Sequence, residues 1–156
     1  MRLTTFSDYG LRVLVYLGVH RGRLATIAEI ARSYGVSENH LMKVVHHLAQ
    51  RGYIETIRGK GGGMRLARPP ADINVGKVVR ESEDNLAFVE CFDRATSDCR
   101  IAPACLLKKA LGEALEAFFA SLERYTLDDL IGNRPKLAKL LPVLEARPAP
   151  EETGQR

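Results

Sequence analysis

The chain has 156 residues, 46% hydrophobic and 27% charged, the balance of a soluble globular protein with one ordinary core. No apolar run approaches the roughly 20 residues that span a bilayer, and the start MRLTTFSDYG lacks the apolar stretch and cleavage site of an export signal, so a cytoplasmic protein without a membrane partner is expected. The net charge of +4 is uneven: residues 1–70 carry eleven Lys/Arg against four Asp/Glu, and residues 71–156 twelve against fifteen. A polyanion bound by the basic half, or a merely solvated basic surface, would each fit that asymmetry.

In chain order, Ser7 can cap a first helix running to about Val19, with Leu11, Leu14, Val15 and Leu17 as its apolar face. Thr26 and Glu29 have the spacing of a capping box ahead of Ile27, Ile30 and Ala31, which starts a second helix, and Gly35 can end it in left-handed geometry. Ser37 caps a third helix in which Leu41, Val44, Val45 and Leu48 recur at helical spacing, and Gly52 closes it. Two short helices joined through Ser33-Tyr34-Gly35-Val36-Ser37 form a helix-turn-helix pattern. Tyr53–Ile57 then alternates like a strand, Arg58-Gly59-Lys60-Gly61-Gly62-Gly63 turns, and Met64-Arg65-Leu66 returns: a hairpin with a cationic, glycine-rich tip. That run is no dinucleotide fingerprint, since Met64 stands where G-x-G-x-x-G needs its last glycine and no helix follows.

Pro69-Pro70 ends this module, and Val75, Val78 and Val79 mark a short helix packing back onto it. Pro103 suits the first turn of a long helix to about Tyr125, striped by Leu107, Leu111, Ala114, Leu115, Phe118 and Leu122. So long a stripe suits a homodimer seam, with an intramolecular core helix as the alternative. Leu137, Leu140, Leu141 and Leu144 make a weaker last helix before a polar, proline-bearing tail expected to be disordered. The expected fold class is therefore mainly α with a small β-hairpin wing. Its divisions are a winged helix-turn-helix over 1–81, a cysteine-rich loop over 82–102, the dimerisation and last helices over 103–147, and a tail over 148–156.

Cys91, Cys99 and Cys105 fall within fifteen residues. An odd count without an export signal argues against a disulfide framework, and clustering in one loop points to metal. Spacing alone leaves iron–sulfur and structural zinc both open. On the third helix, Ser37, Glu38, Asn39, His40 and Lys43 sit at the outward N-terminal positions that would enter a major groove, where Asn and Lys can read base edges and Ser can bond a phosphate. Arg58, Lys60 and Arg65 place charge on the wing, where Arg or Lys can enter the adjoining minor groove. A dimer would set two such helices about one helical turn apart on double-stranded DNA, predicting a pseudo-palindromic operator. His20, His40, His46 and His47 read most simply as surface or packing residues. Nothing matches an H-E-x-x-H, G-x-S-x-G or P-loop motif, so no enzyme is expected.

The segments FSDYGLRVLVYLGVH, YGVSENHLMKVV, RGKGGGMRLARP, INVGKVVRE and ECFDRATSDCRIAPACLLKKAL together resemble the winged-helix iron–sulfur transcriptional regulators of the Rrf2 type, over roughly residues 1–142. The resemblance implies that Cys91, Cys99 and Cys105 ligate an iron–sulfur cluster, 4Fe–4S by the nearest branch, with 2Fe–2S as the alternative. One branch places a histidine three residues after the last cysteine; Lys108 stands there, which argues against that branch. In the nitric-oxide-sensitive repressors of the family, the closest match, an aspartate matching Asp8 supplies the fourth ligand from the partner subunit. Asp8 equally suits the first turn of a helix, where the dipole favours a carboxylate. The resemblance implies a repressor that frees nitric-oxide detoxification genes when its cluster is nitrosylated. The alternative is an iron-responsive regulator of iron uptake, toward which EDNLAFVECFD leans.

Overall fold

Thr4, not Ser7, starts the first helix, α1 (Thr5–Val19), by accepting the Ser7 N–H on its side chain. Both are good cap residues, and burial decides between them: Ser7 is fully buried and accepts from Ser82 Oγ at 2.8 Å, while Thr4 is exposed. The computed structural model describes residues 3–83, 89, 92 and 98–143; Cys91, most of the expected cysteine loop and the tail from 148 lie outside the described residues.

Thr26 caps α2 (Ile27–Tyr34) by accepting the Glu29 N–H at 3.2 Å, half of the expected capping box. The Thr26 backbone is the least of the contacts that stabilise the Glu29 carboxylate. The carboxylate turns inward, to the Arg23 guanidinium and the Tyr16 hydroxyl. Gly35 ends α2 at φ +65°, as expected. Ser37 holds the N-cap position of α3 (Glu38–Gln50) but makes no side-chain cap hydrogen bond. Leu41, Val44, Val45 and Leu48 are buried on the face their spacing predicts. Strands β1 (Ile54–Ile57) and β2 (Gly63–Leu66) pair antiparallel, Ile54 opposite Leu66 and Ile57 opposite Gly63. Ala25 exchanges two backbone hydrogen bonds with Met64, at 3.0 and 2.8 Å, which ties the hairpin to the α1–α2 connection.

Asn74 caps α4 (Val75–Ser82), which packs along α1. The long helix, α5 (Leu106–Leu122), begins later than Pro103 and ends sooner than Tyr125, the expected limits. Pro103 belongs to a separate single turn, Ala102–Ala104, and Cys105 is the N-cap. At the other end, Asn74 Nδ2 donates to Glu123 O at 2.6 Å and Val75 N to Tyr125 O at 2.9 Å, which pulls the chain out of the helix. The approach is close: a Cβ on Gly76 would stand 2.7 Å from the Glu123 nitrogen. A short helix that the sequence did not mark follows, α6 (Leu127–Leu130), with a capping box between Thr126 and Asp129; the expected last helix is α7 (Arg134–Leu140), with Leu144 of its stripe outside the described residues.

The main core lies around α1. Val13, Leu14, Tyr16, Ile30, Leu41, Val44, Leu48, Ile73 and Val78 are essentially inaccessible, and Leu127, Ile131 and Leu141 join them from the C-terminal side. Arg134 Nε donates to Val19 O at 2.7 Å, and His20 Nε2 lies 2.8 Å from Leu141 O. The architecture is mainly helical with a two-stranded wing, and no helix among the described residues is long and apolar enough to cross a membrane.

Burial opposes ionisation of Glu29, but hydrogen bonds from Arg23 and Tyr16 outweigh it and hold the carboxyl below its usual range. A folded pKa depressed in this way stabilises the fold above the unfolded value, near 4.5, and the contribution is lost as pH falls through the folded value. Glu29→Gln should therefore cost about 1–3 kcal/mol at neutral pH. In urea unfolding repeated down the pH scale, its deficit against wild type should close below pH 4.5; a deficit independent of pH would contradict the ionised network.

Candidate nucleic-acid interface and metal-ligand segment

Ser37, Glu38, Asn39, His40 and Lys43 are all exposed on the first two turns of α3, because the buried stripe of that helix points the other way. All five residues expected to face DNA are thus open to solvent at the start of α3. His40 and Lys43 also border a cleft of about 290 Å³ shared with Thr5, Phe6 and Tyr9 of α1. The wing projects beside them. Gly59 and Gly61 take φ of +100° and +78°, conformations in which any other residue would be strained, so the tip can turn tightly between the exposed Arg58 and Lys60. Arg65 differs from those two cations: it is bound by Glu55, its register partner across the hairpin.

Two residues passed over in the sequence fix this surface. Arg68 donates from Nε to Gly52 O at 2.9 Å and lies 5.0 Å over the Tyr53 ring, joining the base of the wing to the end of α3. The Tyr53 hydroxyl in turn donates to Glu81 Oε2 at 3.0 Å, and burial, with that carboxylate beside it, pushes the phenol up to about 12. Neither partner lies within ten residues in sequence, so no local signal marks the pair. Two of the histidines pack against rings, His47 meeting Phe6 edge-on at 5.3 Å and His20 lying 4.5 Å from the Tyr16 ring, while His40 and His46 are exposed.

Cys105 is half-buried at the N-terminus of α5, and its Sγ accepts the Lys108 N–H at 3.4 Å. Cys99 is exposed just ahead of the Ala102–Ala104 turn. Beside Cys105 opens a hollow of about 610 Å³ lined by Phe92, Ala102, Pro103, Lys108 and Gly112, among others. The Cys105 thiol at the rim of this open hollow, receiving a backbone N–H, and the exposed Cys99 thiol six residues before it are soft donors of the kind an iron–sulfur cluster takes, whose sulfur ligands are tuned by such hydrogen bonds. Asp8 sits in the first turn of α1, where its Oδ2 pairs with Arg12 Nη2 at 2.9 Å. Arg12 also packs against the Tyr34 ring at 5.6 Å, and the Tyr34 hydroxyl donates to Arg12 O at 3.1 Å. Among the described residues, no three His, Cys, Asp or Glu side chains gather closely enough to hold a metal.

A helix-turn-helix whose second helix is exposed beside a glycine-tipped hairpin defines a winged-helix DNA-binding regulator. Residues 3–133 match the Rrf2 family, described as iron-dependent transcriptional regulators. The chain belongs to that family. It is 52% identical over 146 residues, 93% of this chain and all of the relative, to the HTH-type transcriptional regulator NsrR of Bacillus subtilis. It is 49% identical over 142 residues, 90% of this chain and 97% of the relative, to the NsrR of Geobacillus kaustophilus. Among solved structures it resembles T. potens IscR, with a TM-score of 0.70 and 25% identity over 88% of this chain and 90% of that one. It also resembles CymR, the global cysteine regulator of B. subtilis, with a TM-score of 0.65 and 26% identity over 85% of this chain and 98% of that one. The protein is a transcriptional regulator and not an enzyme.

Contacts to phosphate release counterions, so each lost cation lowers the salt dependence of binding by a fixed amount. Arg58→Ala and Lys60→Ala should each reduce the slope of log K against log salt by about 1, on specific and random duplexes alike. Fluorescence anisotropy across a salt series measures this, and an unchanged slope in both variants would remove the wing tip from the interface.

Proposed function

We propose that this protein is a homodimeric, cytoplasmic repressor that holds a pseudo-palindromic operator while carrying an iron–sulfur cluster and releases it when nitric oxide reacts with the cluster. In this reading Ser37, Glu38, Asn39, His40 and Lys43 enter the major groove, and Arg58 and Lys60 hold the backbone or minor groove, with Arg65 supporting the hairpin. Cys91, Cys99 and Cys105 of one protomer and the partner subunit's Asp8 hold the cluster, taken as 4Fe–4S, with 2Fe–2S as the alternative. The observation that carries the reading is the 52% identity to an NsrR-named regulator along nearly the whole chain, in a chain that itself gathers three cysteines in one segment.

The dimer draws support from α5. Phe119 is its one buried residue, while Leu111, Leu115, Phe118 and Leu122 are half-covered and Leu106 and Leu107 are exposed, an apolar face that a second copy would bury. A carboxylate is a hard ligand for a soft cluster, so the Asp8 corner would be the exchangeable one. To reach the partner's cluster Asp8 must leave Arg12, which touches Tyr34 at the C-terminus of α2, next to the turn into α3. The cluster supplies a group that favours one arrangement of the two reading heads and that nitric oxide can destroy. A ten- to hundredfold loss of DNA affinity requires only about 1.4–2.8 kcal/mol of that bias.

The family description as iron-dependent favours a second reading in which iron starvation, rather than nitric oxide, empties the site and derepresses iron-uptake genes. Anaerobically purified protein should be straw-brown, and Cys91→Ser, Cys99→Ser and Cys105→Ser should each bleach it. Operator affinity, measured before and after nitric oxide and separately after iron chelation, should fall at least tenfold with nitric oxide. A fall with chelation but not nitric oxide transfers the protein to the iron reading. Affinity indifferent to both, or colour that survives all three substitutions, overturns the proposal.

A further inference from the structure

Between residues 3 and 83, two large apolar side chains are exposed among the described residues: Met42, 51% accessible, and Ile57, 43%. All the other exposed large apolar side chains described lie beyond residue 100. The two are therefore not scattered over the basic half; one is on α3 and the other at the end of β1 where the wing begins. Met42 belongs to the reading face itself. Asn39, Met42, Lys43 and His46 follow one another at three- and four-residue spacing, all exposed, opposite buried Leu41, Val44, Val45 and Leu48.

Asn39 and Lys43 carry hydrogen-bonding groups that match base edges; Met42 between them has no donor and only a weak acceptor. An unbranched, polarizable thioether adapts to a small apolar neighbour. Among the groups that base pairs display in the major groove, the apolar one is the C5 methyl of thymine. We propose that Met42 reads a thymine methyl, fixing one T·A pair in each half-site by apolar contact while its neighbours make polar ones. The assignment rests on α3 being the recognition helix, as the proposed function has it.

Deoxyuridine pairs as thymidine does and lacks only the methyl group. A duplex selected by the holo-protein from random sequence can be rebuilt with single thymidine-to-deoxyuridine replacements and titrated by anisotropy. At one position per half-site the replacement should weaken binding about fourfold, the worth of one methyl-sized apolar contact. Met42→Ala should bind the parent duplex correspondingly less well and lose the preference for thymidine at that position, while Met42→Leu should retain it. Met42 is outside the core, so an unchanged thermal midpoint will show that the variants are folded. Wild type indifferent to every replacement, or Met42→Ala with its thymidine preference intact, overturns the inference. Selection that returns no preferred duplex, by contrast, would strike the recognition-helix reading beneath it.

Discussion

A carboxylate ionised inside a small core needs its partners held in place, because one such charge left unpaired costs several kcal/mol. Glu29 is 7% accessible and is met by Arg23 and by Tyr16, which is fully buried. These residues belong to different elements. Tyr16 lies deep in α1, Glu29 in the first turn of α2, and Arg23 in the connection between them, two residues before Ala25 pairs with Met64. The same charge therefore sets the tilt of α2 on α1 and the place at which the hairpin joins. The reading helix α3 and the wing inherit their relative geometry from it.

The sequence made the reading unit legible because periodicity and turn chemistry agree there. Leu41, Val44, Val45 and Leu48 can share one face only on a helix, and Gly59, Gly61 and their neighbours can turn only as a tight loop, so α3 and the wing stand where the pattern puts them. Local rules failed where long-range partners compete. Ser7 could cap α1, but Ser82, 75 residues on, claims its hydroxyl, and Thr4 caps instead. Glu29 has the spacing of a capping box, yet Arg23 and Tyr16 draw the carboxylate inward, where three charge-assisted hydrogen bonds outweigh one to a backbone amide.

The cysteine segment shows a different limit. Proline at 103 marks a first turn, and there is one, but it is a short turn of its own, and α5 waits for Cys105. A thiol at an N-cap is a weak acceptor beside Ser or Asp, so capping rules do not single it out; only its company with Cys91 and Cys99 does. The sequence can name the cysteines proposed as ligands yet cannot say how they face the DNA-reading unit, since that depends on how α5 is fastened to the rest.

The fastening is α4, eight residues long, whose last turn touches every part that matters. Arg80 lies 4.0 Å over the Phe119 ring and pairs with Glu116 and Glu123, all on or just after α5. The next three residues point the other way: Glu81 takes the Tyr53 hydroxyl at the root of the wing, Ser82 holds Ser7, and Glu83 accepts from Thr4 at the start of α1, four residues before Asp8. Gly76 lets Glu123 approach so closely that α4 and the end of α5 cannot slide past each other without backbone contact. Close-packed elements pass a displacement on instead of absorbing it. A shift of α5, the helix that begins at Cys105, thus reaches the wing through Tyr53 and the start of α1 through Ser7 and Thr4, by side chains already in contact. A ligand at the cysteines need not touch DNA, or come near it, to alter how the reading face is held.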